Sequence, residues 1–307
     1  MKNVKHLIEP KDLSNSEILE LVNLGIKMEK NPSTYSDLCK GKILGSLFFE
    51  ASTRTKFSFD SAMLRLGGSL IGFTDVNTTS AKKGESLGDT IKVMGAYTDI
   101  LVMRHPKEGA PKLASEYSSI PIINGGDGGH QHPTQTLTDL ITITKFKNTI
   151  SNHTIAFCGD LKFGRTVHSL IKTLARFNTK KFYLVSPNEL RLPSSIIDSI
   201  KLKYDVEIIE TTELENVIDK IDILYMTRIQ KERFFNEEDY IKLKNSYILT
   251  NDKISSAKKD MIIMHPLPRV NEISPEVDQD KRAIYFEQAR LGVYVRMALI
   301  AKLLGAI

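Results

Sequence analysis

Tryptophan is absent from this 307-residue chain, there are only two cysteines, and no long hydrophobic run occurs. Each absence excludes a class of protein. Cys39 and Cys158 stand far apart in apolar surroundings, so neither a disulfide framework nor a metal-ligand spacing can be built from them. Buried free thiols in a reducing compartment are the expectation. Residues 1–10 hold no apolar stretch of signal-peptide length. A membrane-spanning helix needs a run of about 18 or more apolar residues. The nearest approach, from Ile284 onward, is interrupted by Glu287, Arg290, Arg296 and Lys302. A cytoplasmic protein without membrane association is therefore expected. A large excess of charge of one sign is lacking as well. The 42 basic residues exceed the 37 acidic ones by only five, and no block of five or six like charges occurs. That balance argues against a nucleic-acid partner and suits a protein that handles small anions.

What is present is the composition of a globular protein, 41% hydrophobic and 26% charged. The length implies two domains of ordinary size. Ser14 and Glu17 form a capping box, and Ile18, Leu21, Val22 and Met28 mark one face of the helix it opens. Apolar runs at 43–49, 69–73, 100–103 and 120–123 read as strands. Between them lie helical patterns, one with Phe59, Ala62, Met63 and Leu66 on a face and Gly67 at its end, others over 87–97 and 112–117. A long helix opens at Pro133, an N1 proline. The rhythm resumes with strands at 154–157, 182–185, 206–209, 221–226, 247–249 and 261–264. Helices between apolar strands predict an α/β fold of two domains, each a mostly parallel sheet with helices on both faces, with the active site in the cleft between them. The polar stretch 145–152 separates the two sheets. The expected partition is 1–134 for the first domain, completed by a C-terminal helix at 287–307, and 135–286 for the second.

Ligands of open parallel sheets sit beyond the carboxyl ends of the strands. After strand 43–49 comes Glu50-Ala51-Ser52-Thr53-Arg54-Thr55, hydroxyls and an arginine where a helix begins. Unpaired N–H groups and the helix dipole suit a phosphate there, and Arg54 adds a bidentate donor. Ser80, Lys82 and Lys83 lie in a polar loop. Arg104-His105-Pro106 ends one strand, and residues 125–135, with Gly125, Gly126, Gly128, Gly129, His130, His132 and Gln135, end another and open a helix. Taken singly, each reads as an ordinary cap, turn or surface charge. Their recurrence at strand ends across one domain points to an anion site.

Ser52-Thr53-Arg54-Thr55, Arg104-His105-Pro106, His132-Pro133-Thr134-Gln135 and His265-Pro266-Leu267-Pro268-Arg269 resemble the signature set of the aspartate and ornithine carbamoyltransferase family, in order and over essentially the whole chain. The resemblance implies transfer of a carbamoyl group from carbamoyl phosphate to an amino acid, with no cofactor and no metal. By similarity, Ser52, Thr53, Arg54 and Thr55 hold the phosphate, and Arg104 bridges phosphate and carbonyl oxygen. Thr55 and His132 also reach that oxygen, which makes Arg54, Thr55, Arg104 and His132 the catalytic set. Gln135 and the backbone carbonyls of Pro266 and Leu267 take the carbamoyl NH2, with Leu267–Pro268 resembling the family's cis peptide.

Segments 158–168 and 227–233 resemble the aspartate-using branch. This implies that Arg165 and Arg228 grip the two carboxylates of L-aspartate, helped by Gln230 and Lys83. The product would be N-carbamoyl-L-aspartate, formed early in de novo pyrimidine biosynthesis. Two guanidinium forks suit a dicarboxylate and would repel the cationic side chain of ornithine. Glu50, Arg165 and Arg233 resemble a charged set that joins the domains on closure. Ser80 and Lys83 resemble a loop that enters the neighbouring subunit's site, which implies a homotrimer with shared active sites. Thr79 competes with Ser80 for that role, and Lys82 with Lys83. Some relatives carry a separate zinc-containing regulatory chain, and such a partner is left open.

Four other readings compete. A nicotinamide enzyme would need G-x-G-x-x-G where the chain has Gly159-Asp160-Leu161-Lys162-Phe163-Gly164, and its second strand ends at Ser186-Pro187 without an acidic ribose partner. A non-catalytic anion-binding protein fits the lobes but not the missing signal peptide. Metal hydrolysis through His130 and His132 lacks clustered carboxylates. A carbamoyltransferase for another amino acid, such as ornithine, is the nearest rival.

Overall fold

Alternating apolar strands and amphipathic helices close into two separate all-parallel sheets. The computed structural model describes residues 6–75, 78–230, 234 and 236–307. The chain divides into two compact units, Met1–Lys145 with Arg290–Ile307, and Phe146–Ala289.

In the first unit, α1 (Asn15–Lys30) opens on the expected capping box. The Ser14 hydroxyl accepts from the Glu17 N–H, and the Glu17 carboxylate accepts from the Ser14 N–H. Next come β1 (Ile43–Phe48), α2 (Thr53–Arg65), β2 (Ser69–Phe73), α3 (Leu87–Tyr97), β3 (Ile100–His105), α4 (Ala110–Tyr117), β4 (Ile122–Asp127) and α5 (Pro133–Lys147). The sheet order is β2-β1-β3-β4. Leu47, Ile91, Leu101, Met103, Ala114 and Ile122 form one buried cluster on this sheet. Burial of each large aliphatic side chain is worth roughly 1.5–3 kcal/mol. β2 is an edge strand with Ile71 exposed, and Phe57, Leu64, Val93 and Tyr97 are exposed on α2 and α3.

The second unit carries β5 (Thr154–Cys158), α6 (Arg165–Arg176), β6 (Lys181–Val185), α7 (Ser194–Lys201), β7 (Glu207–Thr211), β8 (Ile223–Met226), α8 (Glu237–Leu243) and β9 (Ile262–Met264). Their order is β7-β6-β5-β8-β9. The last helix, α9 (Tyr285–Leu303), begins in the second unit and ends in the first. Its C-terminal half is mostly apolar, broken by Arg296 and Lys302, with Val295, Met297, Ala298, Leu299 and Ile300 all shielded from water.

One expected strand is not formed. Residues 247–249 make a single parallel bridge, Leu249 to Ile273. Their apolar pattern is satisfied by burial in the second core, and the Tyr247 hydroxyl donates to the Thr212 carbonyl. Ile263 of β9 bridges Ala283, so 247–249 finds no ladder there.

Candidate active site

Both sheets reverse their direction of growth once, and several of the candidate residues follow the strands at those two points. In the first sheet the reversal lies between β1 and β3, which pair in parallel with Phe48 opposite Arg104. A crevice opens at the carboxyl ends of such strands because the connections leave on opposite faces. Ser52–Thr55 follow β1, and Arg104 ends β3. Ser52 is the N-cap of α2 in an extended conformation, and its side chain makes no capping bond. The N–H groups of this first turn have no partner inside the helix, which suits a bound anion. Arg54 is exposed, Ser52 half-buried and Thr55 buried. Arg104 Nε lies 2.9 Å from Glu50 Oε2, and Arg104 Nη1 donates to the Gly125 carbonyl at 3.4 Å. The Glu50 contact is an ion pair of near charges and not an aligned hydrogen bond.

The glycine-rich loop after β4 is shaped by two buried polar residues. Asn124 Nδ2 donates to Asp127 Oδ1 and to the Ile8 carbonyl, both at 3.0 Å. Asp127 accepts in turn from the Gly109 and Gln131 N–H groups. This delivers His132 to the N-cap position of α5, where its carbonyl accepts from the Gln135 and Thr136 N–H groups. The His132 ring is buried, with Nε2 3.5 Å from Thr55 Oγ1. One turn into α5, Gln135 Nε2 donates to Asp139 Oδ1 at 2.9 Å. Asp139 is wholly buried, and Arg296 on α9, also buried, donates from Nη1 to Thr138 Oγ1 at 3.2 Å.

In the second sheet the reversal lies between β5 and β8, paired with Cys158 opposite Met226. Arg165 opens α6 after β5, and Arg228 follows β8 by two residues; both are half-buried, as is Gln230. The strand ends approach closely. Gly159 has φ +121°, and a Cβ there would stand 2.2 Å from the Thr227 carbonyl oxygen. Asp160, wholly shielded, ties the two loops: Oδ1 accepts from the Phe163 N–H at 2.9 Å and Oδ2 more weakly from the Gln230 N–H at 3.5 Å. Burial raises the Asp160 carboxyl, and the backbone donors and the Arg228 charge partly offset this. His168, one turn into α6, has Nε2 2.8 Å from the Leu161 carbonyl and holds the intervening loop.

The segment after β9 is held just as closely. Leu267–Pro268 is cis, and Leu267 sits at φ +54°. The Leu267 N–H donates to His265 Nδ1 at 2.8 Å, so the imidazole proton is on Nε2, 2.7 Å from Glu272 Oε1. Glu272 Oε2 accepts from the Val270 and Asn271 N–H groups. Burial lowers the His265 pKa and keeps the ring neutral. Burial alone would raise Glu272, but the His265 bond and the backbone donors leave it below the ordinary carboxylate value.

Of the residues singled out by sequence, the structure brings Ser52, Thr53, Arg54, Thr55, Glu50, Arg104, His132 and Gln135 to strand ends or helix starts of the first unit. It brings Arg165, Arg228 and Gln230 to adjacent strand ends of the second, with Pro266 and Leu267 just beyond the third residue of β9. Ser80 and Lys83 occupy an exposed 3-10 turn. Among the described residues, no hydrogen bond or ion pair joins them to the Thr55–His132 group. Arg233 lies outside the described residues. Asp139, Arg296 and Glu272 escaped the sequence reading. Their one signal was a charge inside an apolar helical or strand-end pattern.

Residues 5–145 match the family model described as "Aspartate/ornithine carbamoyltransferase, carbamoyl-P binding domain", and residues 151–303 match its "Asp/Orn binding domain". The chain is 63% identical over 303 residues to the aspartate carbamoyltransferase catalytic subunit of Alkaliphilus metalliredigens, covering 99% of this chain and 97% of that one. The solved catalytic subunit of M. jannaschii aspartate transcarbamoylase is 51% identical, with a TM-score of 0.92 over 98% of each chain. Aspartate transcarbamoylase from Trypanosoma cruzi, solved in complex with carbamoyl phosphate and aspartate, is 39% identical with a TM-score of 0.92, covering 97% and 96% of the two chains.

Proposed function

The chain belongs to the aspartate/ornithine carbamoyltransferase family, and from that premise we propose how its residues share the transfer of a carbamoyl group from carbamoyl phosphate to the amino group of L-aspartate. It is a carbamoyltransferase, and the acceptor is aspartate rather than ornithine. The observation that carries this choice is the pair of half-buried arginines, Arg165 and Arg228, at the ends of the adjacent strands β5 and β8. A dicarboxylate needs two fixed cationic forks, and ornithine would meet like charge.

The donor phosphate docks on the first turn of α2, with Ser52, Thr53, Arg54 and Thr55 as donors and Arg104 beside it. Attack by the aspartate amine forms the C–N bond and builds negative charge on the carbonyl oxygen. Thr55, Arg104 and His132 donate to that oxygen, and one such donor is typically worth about 3 kcal/mol. Gln135 and the carbonyls of Pro266 and Leu267 accept from the carbamoyl NH2, which fixes the plane of the group. The C–O bond to phosphate then breaks, and the departing phosphate takes the amine proton. Two substrates fixed in line supply much of the remaining acceleration. Gln230 and Lys83 assist Arg165 and Arg228 with the acceptor, and closure through Glu50, Arg165 and Arg233 belongs to the same proposal.

A homotrimer with shared sites, in which Ser80 and Lys83 serve a neighbouring subunit, is part of this reading. The exposed apolar side chains of Phe57, Leu64, Ile71, Val93 and Tyr97 in the first unit support it, as does the exposure of the Ser80–Lys83 turn. A cytoplasmic setting agrees with two buried free thiols, and no helix among the described residues is long and apolar enough to cross a membrane. The reaction places the enzyme early in de novo pyrimidine biosynthesis. The relative's name, catalytic subunit, is consistent with a separate zinc-containing regulatory chain as a further partner.

The test is direct. Purified protein mixed with carbamoyl phosphate and L-aspartate is expected to release phosphate and N-carbamoyl-L-aspartate, with far slower turnover on L-ornithine. Phosphate release that depends on ornithine and not on aspartate would overturn the acceptor assignment.

A further inference from the structure

A glutamine amide has an acceptor at one end and a donor at the other, and only the acceptor can serve the carbamoyl NH2. The glutamine itself does not decide which end faces the ligand. In α5 the decision falls to the residue one turn later. Gln135 Nε2 donates to Asp139 Oδ1 at 2.9 Å. An ionised carboxylate only accepts, so the NH2 end of Gln135 is drawn to it and the oxygen is left for the ligand. We propose that Asp139 is a positioning residue for the carbamoyl group. By holding the Gln135 amide in one of its two flips, it makes the site selective for a donor that carries an NH2 group.

The surroundings of Asp139 fit that task. A wholly buried carboxylate stays ionised only beside a compensating charge. Arg296 supplies one: it is buried on α9, and the two groups attract electrostatically. The guanidinium also lies 5.1 Å over the Phe59 ring. Phe59 belongs to α2, whose first turn carries Ser52–Thr55, so one cation supports both the amide clamp and the phosphate-binding helix. A well-packed apolar pair would fill the same volume at no greater cost in stability. Two buried opposite charges at this point fit a role in orientation rather than in stability.

The inference rests on Gln135 accepting from the carbamoyl NH2. Its test compares carbamoyl phosphate with acetyl phosphate, which keeps the phosphate and the carbonyl but has methyl where the NH2 would be. For wild type and Asp139→Asn, kcat/KM with carbamoyl phosphate and the inhibition constant of acetyl phosphate are measured together. An asparagine can accept or donate, so the amide is released to flip. The expected result is a loss of roughly ten- to a hundredfold in kcat/KM, on the scale of one buried polar group mispaired, with less than about threefold change for acetyl phosphate. In a Gln135→Ala background, Asp139→Asn should cost no more than about twofold further, because the coupling is already gone. Equal losses for both ligands, or an undiminished loss in the Gln135→Ala background, would show that Asp139 acts on the fold alone. Should Asp139→Asn not fold around an uncompensated Arg296, the double variant D139N/R296M removes both charges and undergoes the same comparison. Wild type that forms no N-carbamoyl-L-aspartate would sink the reaction itself. Active wild type with unselective variants would sink this inference only.

Discussion

Guanidinium groups do separate work at separate positions, and the consequences separate too. Arg54 stands in the first turn of α2, where the proposed phosphate would meet N–H groups and the helix dipole together. Arg54→Ala is expected to lower kcat at least about a hundredfold, since a charge-assisted contact to the leaving group is lost. Near-normal turnover in a steady-state assay would remove it from the site. Arg228 follows β8, at the proposed acceptor site. Arg228→Ala should raise the KM for aspartate far more than that for carbamoyl phosphate, and equal effects on both would contradict the assignment. Residues of this kind were legible in the sequence because they sit in short motifs beside strand ends. Glu272 was not, although it lies only seven residues from His265. Its importance comes from a buried 2.7 Å contact with a neutral imidazole, and no spacing rule announces that. Asp139 was missed for the same reason. On the sequence it reads as one more polar residue in a threonine-rich helix, and the compensating charge is 157 positions away on Arg296.

At the scale of elements, the decisive feature is how closely β5 and β8 converge. Gly159 takes φ +121° with no room for a Cβ, since the Thr227 carbonyl lies 2.2 Å from where one would stand. Gly159→Ala is expected to cost at least about 2 kcal/mol through strain and overpacking, read as a lower urea midpoint. It should also raise the KM for aspartate, because Arg165 and Arg228 lie on the segments that follow the two strands it forces apart. An unchanged midpoint would mean that the strand ends yield easily. The same scale shows the limit of pattern reading. Every strand that pairs in the two sheets overlaps an apolar run predicted from the chain. The run at 247–249 has the same signature and forms no ladder. Burial and pairing are separate demands, and apolar periodicity reports only burial.

For the whole molecule, acid is the informative stress. His105, His168 and His265 are each held below the ordinary imidazole value of 6.5, first of all by burial. The unfolded chain therefore binds protons that the native state refuses. The stabilisation from neutral histidine is complete above a pH of about 6.5 and is lost as the pH falls through the lower folded values. Glu272, itself held low, would fail only further down, below the ordinary carboxylate range. Melting temperatures measured at about pH 7.5 and about pH 5.5 should differ by several degrees, with the acid sample less stable. A flat profile would show that these imidazoles are solvated. Light scattering on the purified protein is expected to report a three-chain mass, and a monomer would separate Ser80 and Lys83 from any shared site.

The amino-acid sequence by itself determined the class of fold and the chemistry it can host. Alternating apolar strands and amphipathic helices leave parallel sheets as the arrangement that buries both faces, and hydroxyls with arginine at a helix start attract phosphate wherever that helix lies. Strand order belongs to the tertiary structure. It set β1 beside β3 and β5 beside β8, and so brought Glu50 and Arg104 into contact and placed Arg165 and Arg228 after neighbouring strands. It also decided which charges are shut away from water with a partner. Neighbourhood across dozens of residues is settled by packing, which local pattern does not encode.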